Sequence, residues 1–221
     1  MKKATILELD PIKRIENSIN RAMLFYTSKL SGGILEIGLE ASFQMHLGDL
    51  LNSELQNQTT SSKERFVVHF EKNIEIEGRK DYIDIVVEYR SNEKHFLYLI
   101  ELKYKKETDS APDLGNIYSY IDIYNLSKQK ANNSDVSGCC FIFLTDYKTY
   151  TNKAKSGTRL ELPMHDGANI LKGNVYKVTG ESAKNNTNKY PDGFVFDSNY
   201  KIEYLNFKIK EKQYWYYILN I

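Results

Sequence analysis

Charge of one sign, long apolar runs, clustered histidines and paired cysteines are all scarce in this chain, and each scarcity closes a class of explanation. Thirty Lys and Arg against 29 Asp and Glu leave a formal charge of +1 over 221 residues. No global field therefore advertises a polyanionic partner, and only local basic patches remain open. No stretch approaches the roughly 18 consecutive apolar residues of a membrane span. The segment MKKATILELDPIKRIE has no apolar run of signal-peptide length. The expectation is a cytoplasmic protein with no membrane partner. Cys139 and Cys140 are adjacent inside GCCFIFLT. A disulfide between neighbours would strain the peptide, and a zinc ion would lack its other ligands, so both read as buried strand residues. His46, His69, His95 and His165 form no HxH or HExxH pattern, which argues against a histidine-based metal site, and His46 and His69 read as surface or structural side chains. Carboxylates and lysines are left to carry any chemistry.

A composition 41% hydrophobic and 13% aromatic suits one globular domain over 1–221. Asp10-Pro11 suits a helix start, and Ile12, Ile15, Ile19 and Met23 recur at helical spacing, predicting an N-terminal helix within 1–33. After Ser31-Gly32-Gly33 the helical period resumes at Ile34. Glu40, Phe43, Gln44, Leu47 and Leu51 share one face, which sets a carboxylate on a mostly apolar stripe. From residue 65 the period becomes two. RFVVHFEKNIEI, DYIDIVVEYR and HFLYLIELKYKK predict an antiparallel meander with turns at Glu77-Gly78 and Ser91-Asn92-Glu93. Leu114, Ile117, Tyr118, Ile121, Tyr124 and Leu126 then predict a crossover helix, and the apolar run 138–146 an interior strand. Beyond 147 short aromatic segments predict a β-rich extension, for recognition or dimerisation. Its YWYY run, with Trp215, suits either base stacking or sheet packing. Strand order there is not legible. The expected fold class is α/β (mixed α+β), αβββαβ, with a central mixed sheet flanked by helices over a core of 34–146.

Strand alternation puts Glu101 and Lys103 side by side on one face of an otherwise apolar strand. Asp84, between Ile83 and Ile85, falls near Glu101 across the intervening turn. Two carboxylates in an apolar sheet repel and are costly to desolvate unless a cation sits between them. Mg²⁺ suits such a pair, because it takes oxygen ligands, keeps several waters and needs one or two protein carboxylates; Mn²⁺ is a substitute. A lysine beside a metal-bound water can orient the nucleophile or steady charge on a phosphate.

Asp84, then Glu101-Leu102-Lys103 seventeen positions on, preceded by a helical glutamate and set in the order α, β, β, β, α, β, resembles the PD-(D/E)xK nuclease superfamily, which includes many type II restriction endonucleases. The resemblance covers roughly residues 34–146, and YIDIYNLSKQ followed by FIFLTDYKTY adds a weaker likeness to some restriction-type members. It implies a restriction-endonuclease-like core in which Asp84 and Glu101 bind metal, Lys103 is the catalytic lysine and Glu40 completes the metal shell. The proline that names the motif is absent, Ile83 standing in its place. Asp81, in Gly78-Arg79-Lys80-Asp81, rivals Asp84, which is favoured by the Ile85-Val86-Val87 run directly after it; Glu36 competes with Glu40. Asp122 and Gln129 read as ordinary helix polarity. Lys105, Lys153, Lys155 and Arg159, with Lys106 and Lys148, are candidates for backbone phosphates. The function implied is a Mg²⁺-dependent endonuclease acting on double-stranded DNA, as a type II restriction or other antiviral defence enzyme. Cutting both strands implies a homodimer. A resolvase, an RNA-cleaving or nucleotide-activated effector, and a catalytically inactive nucleic-acid-binding module are the alternatives.

Overall fold

Pro11 at the first helical position fixes the start of α1 (Pro11–Ser31). Arg14, Ile15, Ser18, Ile19, Ala22, Met23, Tyr26 and Leu30 form its buried stripe. The computed structural model describes residues 10–76, 79–109, 112–153, 162–177 and 193–221. Lys155, Arg159, the Glu77-Gly78 turn, most of the polar stretch 181–193 and the side chains of Asp81 and Leu114 lie outside the described residues.

The second helix, α2 (Glu40–Asn57), begins six residues later than its periodicity predicts. The N–H groups of Ile34 and Leu35 turn back onto the Lys29 carbonyl, and Gly33 takes a left-handed φ of 69°. Those bonds close the end of α1, so a new helix cannot nucleate until the chain has passed Leu39. There the Ser42 hydroxyl accepts the Leu39 N–H, 3.2 Å away.

Strands β1 (Arg65–Ile76), β2 (Arg79–Arg90) and β3 (His95–Lys105) form the expected antiparallel meander, and α3 (Pro112–Asn132) crosses over to β4 (Val136–Thr145), parallel to β3. Among the described residues four two-residue strands follow: β5 (Asn169–Ile170), β6 (Val175–Tyr176), β7 (Phe194–Val195) and β8 (Tyr200–Lys201). The hairpin of β9 (Leu205–Ile209) and β10 (Lys212–Asn220) completes one mixed sheet in the order β1-β2-β3-β4-β10-β9. Part of the last third is thus built into the central sheet. Tyr217 stacks on Phe143 with ring centroids 5.4 Å apart, so this part of the aromatic run packs the sheet.

α1 and α2 cover one face, over Ile85, Val87, Tyr98, Ile100 and Leu102. α3 and the short strands cover the other over Val86, Leu99, Phe141 and Phe143. On α3 the buried stripe is Ile117, Tyr120, Ile123 and Leu126, while Tyr118, assigned to that stripe by sequence, is exposed. Apolar residues alternate through IYSYIDIY and fit two helical frames, and the sheet selects one of them. Cys139 and Cys140 are free thiols, buried within β4 as expected.

Glycine is required at 138. A Cβ there would lie 2.5 Å from the Tyr98 ring, which is buried and whose hydroxyl donates to the Cys139 carbonyl. At Gly48 the obstacle is Phe70, whose ring is partly exposed and free to swing. Gly138→Ala is expected to lower unfolding free energy by about 1–3 kcal/mol, the usual range for overpacking, and Gly48→Ala by less. Urea melts of the two variants compare them; equal losses would show that the Tyr98 ring is not held.

Candidate active site

The ladder between β2 and β3 runs from Arg90↔His95 to Ile85↔Ile100 and stops there, while β3 continues beside β4 to Lys105↔Thr145. Two N–H groups on the edge of β3 that β2 abandons are taken by carboxylates instead. The Leu102 N–H donates to Asp84 Oδ2 at 2.7 Å, and the Tyr104 N–H to Glu40 Oε2 at 2.8 Å. Backbone donors in a sheet interior must find acceptors, and here acids supply them where a strand does not. Gln44, one turn after Glu40 on α2, donates through Nε2 to the Asp84 carbonyl at 2.6 Å. α2 therefore fixes both ends of the gap.

Glu101 and Lys103 project from β3 beside this gap, toward α3. Glu101 is hydrogen-bonded to the Asp84 carboxyl, and Lys103 Nζ lies 3.2 Å from Asp122 Oδ2 and 3.6 Å from Glu40 Oε1. The four acids predicted or weighed from sequence, Asp84, Glu101, Glu40 and Asp122, thus gather around one ammonium. Burial, and then the neighbouring Asp84 and Asp122 charges, push the Glu101 carboxyl up to about 11. Burial likewise raises Asp84, against the Leu102 N–H that favours its charged form. The two carboxyls therefore share a proton at neutral pH, as like charges held in contact must. Burial works against the Lys103 ammonium, but Asp122 and Glu40 outweigh it and hold the lysine charged well above its ordinary range. Burial brings Asp122 up to about 6 in spite of Lys103.

Four acids face one ammonium, and even with a proton shared between Asp84 and Glu101 negative charge is in excess. Among the described residues no three His, Cys, Asp or Glu side chains are already arranged as a metal cage. A Mg²⁺ ion needs only one or two carboxylates besides water, and the proton-sharing Asp84 and Glu101 fit it. Glu40 is turned to Tyr104 and Lys103.

Asp122 was readable as more than helix polarity, since it is the only charged residue between 114 and 127. Gln129 is buried on the same helix and Glu36 is exposed ahead of α2. Lys105, half-buried, follows Lys103 on the same face of β3, whereas exposed Lys153 lies near His165. Sequence reasoning missed Glu88 altogether. It is a buried carboxylate on β2 in contact with His69, His95, Lys72 and Arg90, a group that comes together only when three strands pair.

No helix among the described residues is long and apolar enough to cross a membrane. Searches of family models, curated proteins and solved structures find no match to this chain.

Proposed function

We propose that the protein is a metal-dependent nuclease of PD-(D/E)xK type with a restriction-endonuclease-like core, hydrolysing phosphodiester bonds of double-stranded DNA. The observation that carries this reading is the gathering of Asp84, Glu101 and Lys103 at the point where β2 parts from β3. Lys103 stands two residues from a carboxyl that burial and its neighbours keep protonated. An ion pair serving stability alone has no use for a further buried acid that raises its neighbours' desolvation cost.

Asp84 and Glu101 would hold Mg²⁺ or Mn²⁺, with Glu40 at the edge of the shell. Bound there, the ion supplies positive charge against the scissile phosphate and a water of lowered pKa. The chain's own residues do the rest. Asp122 and Glu40 fix the Lys103 ammonium in one place and keep it charged, so that it stabilises negative charge developing on the phosphate without reorganising. The Leu102 and Tyr104 N–H groups fix the orientation of Asp84 and Glu40. Cleavage of both strands by chains with one site each calls for a homodimer with two-fold symmetry.

The test is incubation of plasmid, linear duplex, single-stranded DNA and RNA with Mg²⁺, Mn²⁺ or EDTA. Duplex cleavage with either metal and none with EDTA is the expected result. Cleavage of RNA alone would move the reading to an RNA-cleaving effector, and inertness toward every substrate would favour a binding module. Asp122→Asn removes the nearer of the two lysine partners without opening a cavity. Activity is expected to fall by about 10–100-fold, the range for supporting groups around a metal site, with KM nearly unchanged. A wild-type kcat in that variant would detach α3 from the chemistry.

A further inference from the structure

Glu88 is 4% exposed, yet its carboxylate is fully engaged. Oε1 accepts from Arg90 Nε at 2.8 Å and Nη2 at 2.6 Å and lies 2.7 Å from His95 Nε2. Oε2 lies 2.8 Å from His69 Nε2 and 3.5 Å from Lys72 Nζ. One buried acid thus organises a collar of nitrogen-bearing side chains whose outer parts face solvent. Beside it opens a cleft of about 390 Å³, lined by Lys63, Arg65, His69, Arg90, Ser91 and Asn92 as well as Glu64 and Glu88. Glu64 brings no free charge, because Arg14 holds it through both oxygens at 2.8 Å. Among the described residues that line the cleft, Lys63, Arg65 and Arg90 are then opposed by Glu88 alone, with Lys72 beside it.

The occupant such a surface fits is an anion. A divalent cation would meet two guanidinium groups and two ammonium groups, and the Nε2 atoms of His69 and His95 are turned to Glu88. The position on the sheet narrows the choice. Glu88 lies four residues beyond Asp84 on β2, about 13 Å along the strand. It shares the sheet face of Val86, Leu99 and Glu101, while α3 covers that face only farther across, over β3 and β4. About 13 Å is close to four base-pair steps of a duplex lying along the strand.

We propose that the cationic collar around Glu88 on β1 and β2 holds backbone phosphates of the nucleic acid whose scissile bond lies at Asp84 and Glu101. This rests on the nuclease reading for the identity of the polyanion, and it adds a binding track that was not among the basic residues singled out from sequence. The collar sets where along the strand the cut falls. It does so without reading bases, since phosphate contacts position and base edges specify.

The test is fluorescence anisotropy of the full chain with a labelled 24-base-pair duplex in EDTA, where cleavage cannot interfere. Lys63→Gln with Arg65→Gln removes two charges that make no bond to Glu88. Affinity is expected to fall by roughly 60-fold at 0.1 M salt, and the log–log salt slope by about two, the counterion-release figures for two lost phosphate contacts. The melting temperature stays at the wild-type value. Arg90→Gln combined with Glu88→Gln, which leaves no buried charge unpaired, weakens binding in the same way, whereas Asp84→Asn binds at least as tightly as wild type. Wild-type affinity and slope in both collar variants would overturn the proposal, as would a wild-type protein that binds no nucleic acid. Failure of the nuclease reading looks different, because cleavage is then absent, or survives in Asp84→Asn, while the collar variants still lose affinity.

Discussion

On the proposed nuclease reading, Asp84→Asn is expected to abolish cleavage, lowering kcat by about 10³-fold or more, because it takes away one of the two carboxylates that would concentrate charge stabilisation and water activation. The fold survives. Asn keeps an oxygen for the Leu102 N–H, so the 2.7 Å bond that anchors β3 at the gap is retained. Glu101→Gln gives the same loss of activity with a second signature. Its carboxyl is forced up to about 11 by burial and by Asp84, so folding at neutral pH has to protonate it, a cost that Gln does not carry. Unfolding free energy should rise by about 1 kcal/mol, or roughly 2–4 °C in melting temperature for a chain of this size. An activity lost together with a stability gained is what a functional site produces and a structural ion pair does not. Lys103→Ala, by contrast, leaves Asp122 and Glu40 without their cation and loses both activity and stability. Undiminished cleavage in a folded Asp84→Asn or Lys103→Ala variant would remove the site assignment. Plasmid nicking rates paired with thermal melts supply both readouts.

The largest effect on stability alone is expected at Arg14. Its guanidinium lies on α1, grips both Glu64 oxygens at 2.8 Å, donates to the Gln58 carbonyl at 2.7 Å and lies 5.2 Å from the centroid of the Phe66 ring. The two side chains are 5% and 7% exposed. Arg14→Ala strands the Glu64 carboxylate and should cost about 3–5 kcal/mol, whereas replacing both partners by apolar residues of similar volume should recover most of the loss. Calorimetric melts of the single and double variants check this. An Arg14→Ala loss below 1 kcal/mol would mean that water reaches Glu64. The pair also sets an acid limit. The Arg14 hydrogen bond, with those from Thr60 and Tyr89, outweighs burial and holds Glu64 down to about 2 from an ordinary 4.5. A carboxyl whose folded-state pKa is depressed contributes stability that is complete above its unfolded value and drains as pH falls toward the folded one. The contribution is therefore lost between about 4.5 and 2, and Glu64→Gln should flatten the acid limb of the stability curve across that window.

Legibility in the sequence followed the range of the forces involved. β1 was readable because Arg65 to Ile76 is rich in strand-forming residues with a period near two, and Glu101 and Lys103 because strand parity places i and i+2 together. The proximity of Asp84 to Glu101 followed from a tight turn centred on Ser91 to Glu93. Farther-reaching arrangements were hidden. Nothing local to Ile34 says that its N–H will turn back to Lys29, nor does IYSYIDIY declare which of its two frames faces the sheet. Asp122 gave a signal, a lone charge in an apolar helix, but its partner is a lysine on a strand that precedes it. His69, Glu88 and His95 come from three strands, and their grouping depends on pairing register.

Where β2 leaves β3, two acids stand in for a missing strand, and this gives the site an unequal evolutionary memory. Oxygens at 84 and 40 are retained by the sheet itself, so, if the proposed activity holds, a descendant that had lost it would still keep Asp or Asn, Glu or Gln, at those places. Glu101 is hydrogen-bonded to Asp84, and burial with the neighbouring charges disfavours its ionised form. On the proposed nuclease reading, drift to a neutral residue at 101 is therefore the mark by which an inactive copy of this protein would be told from an active one.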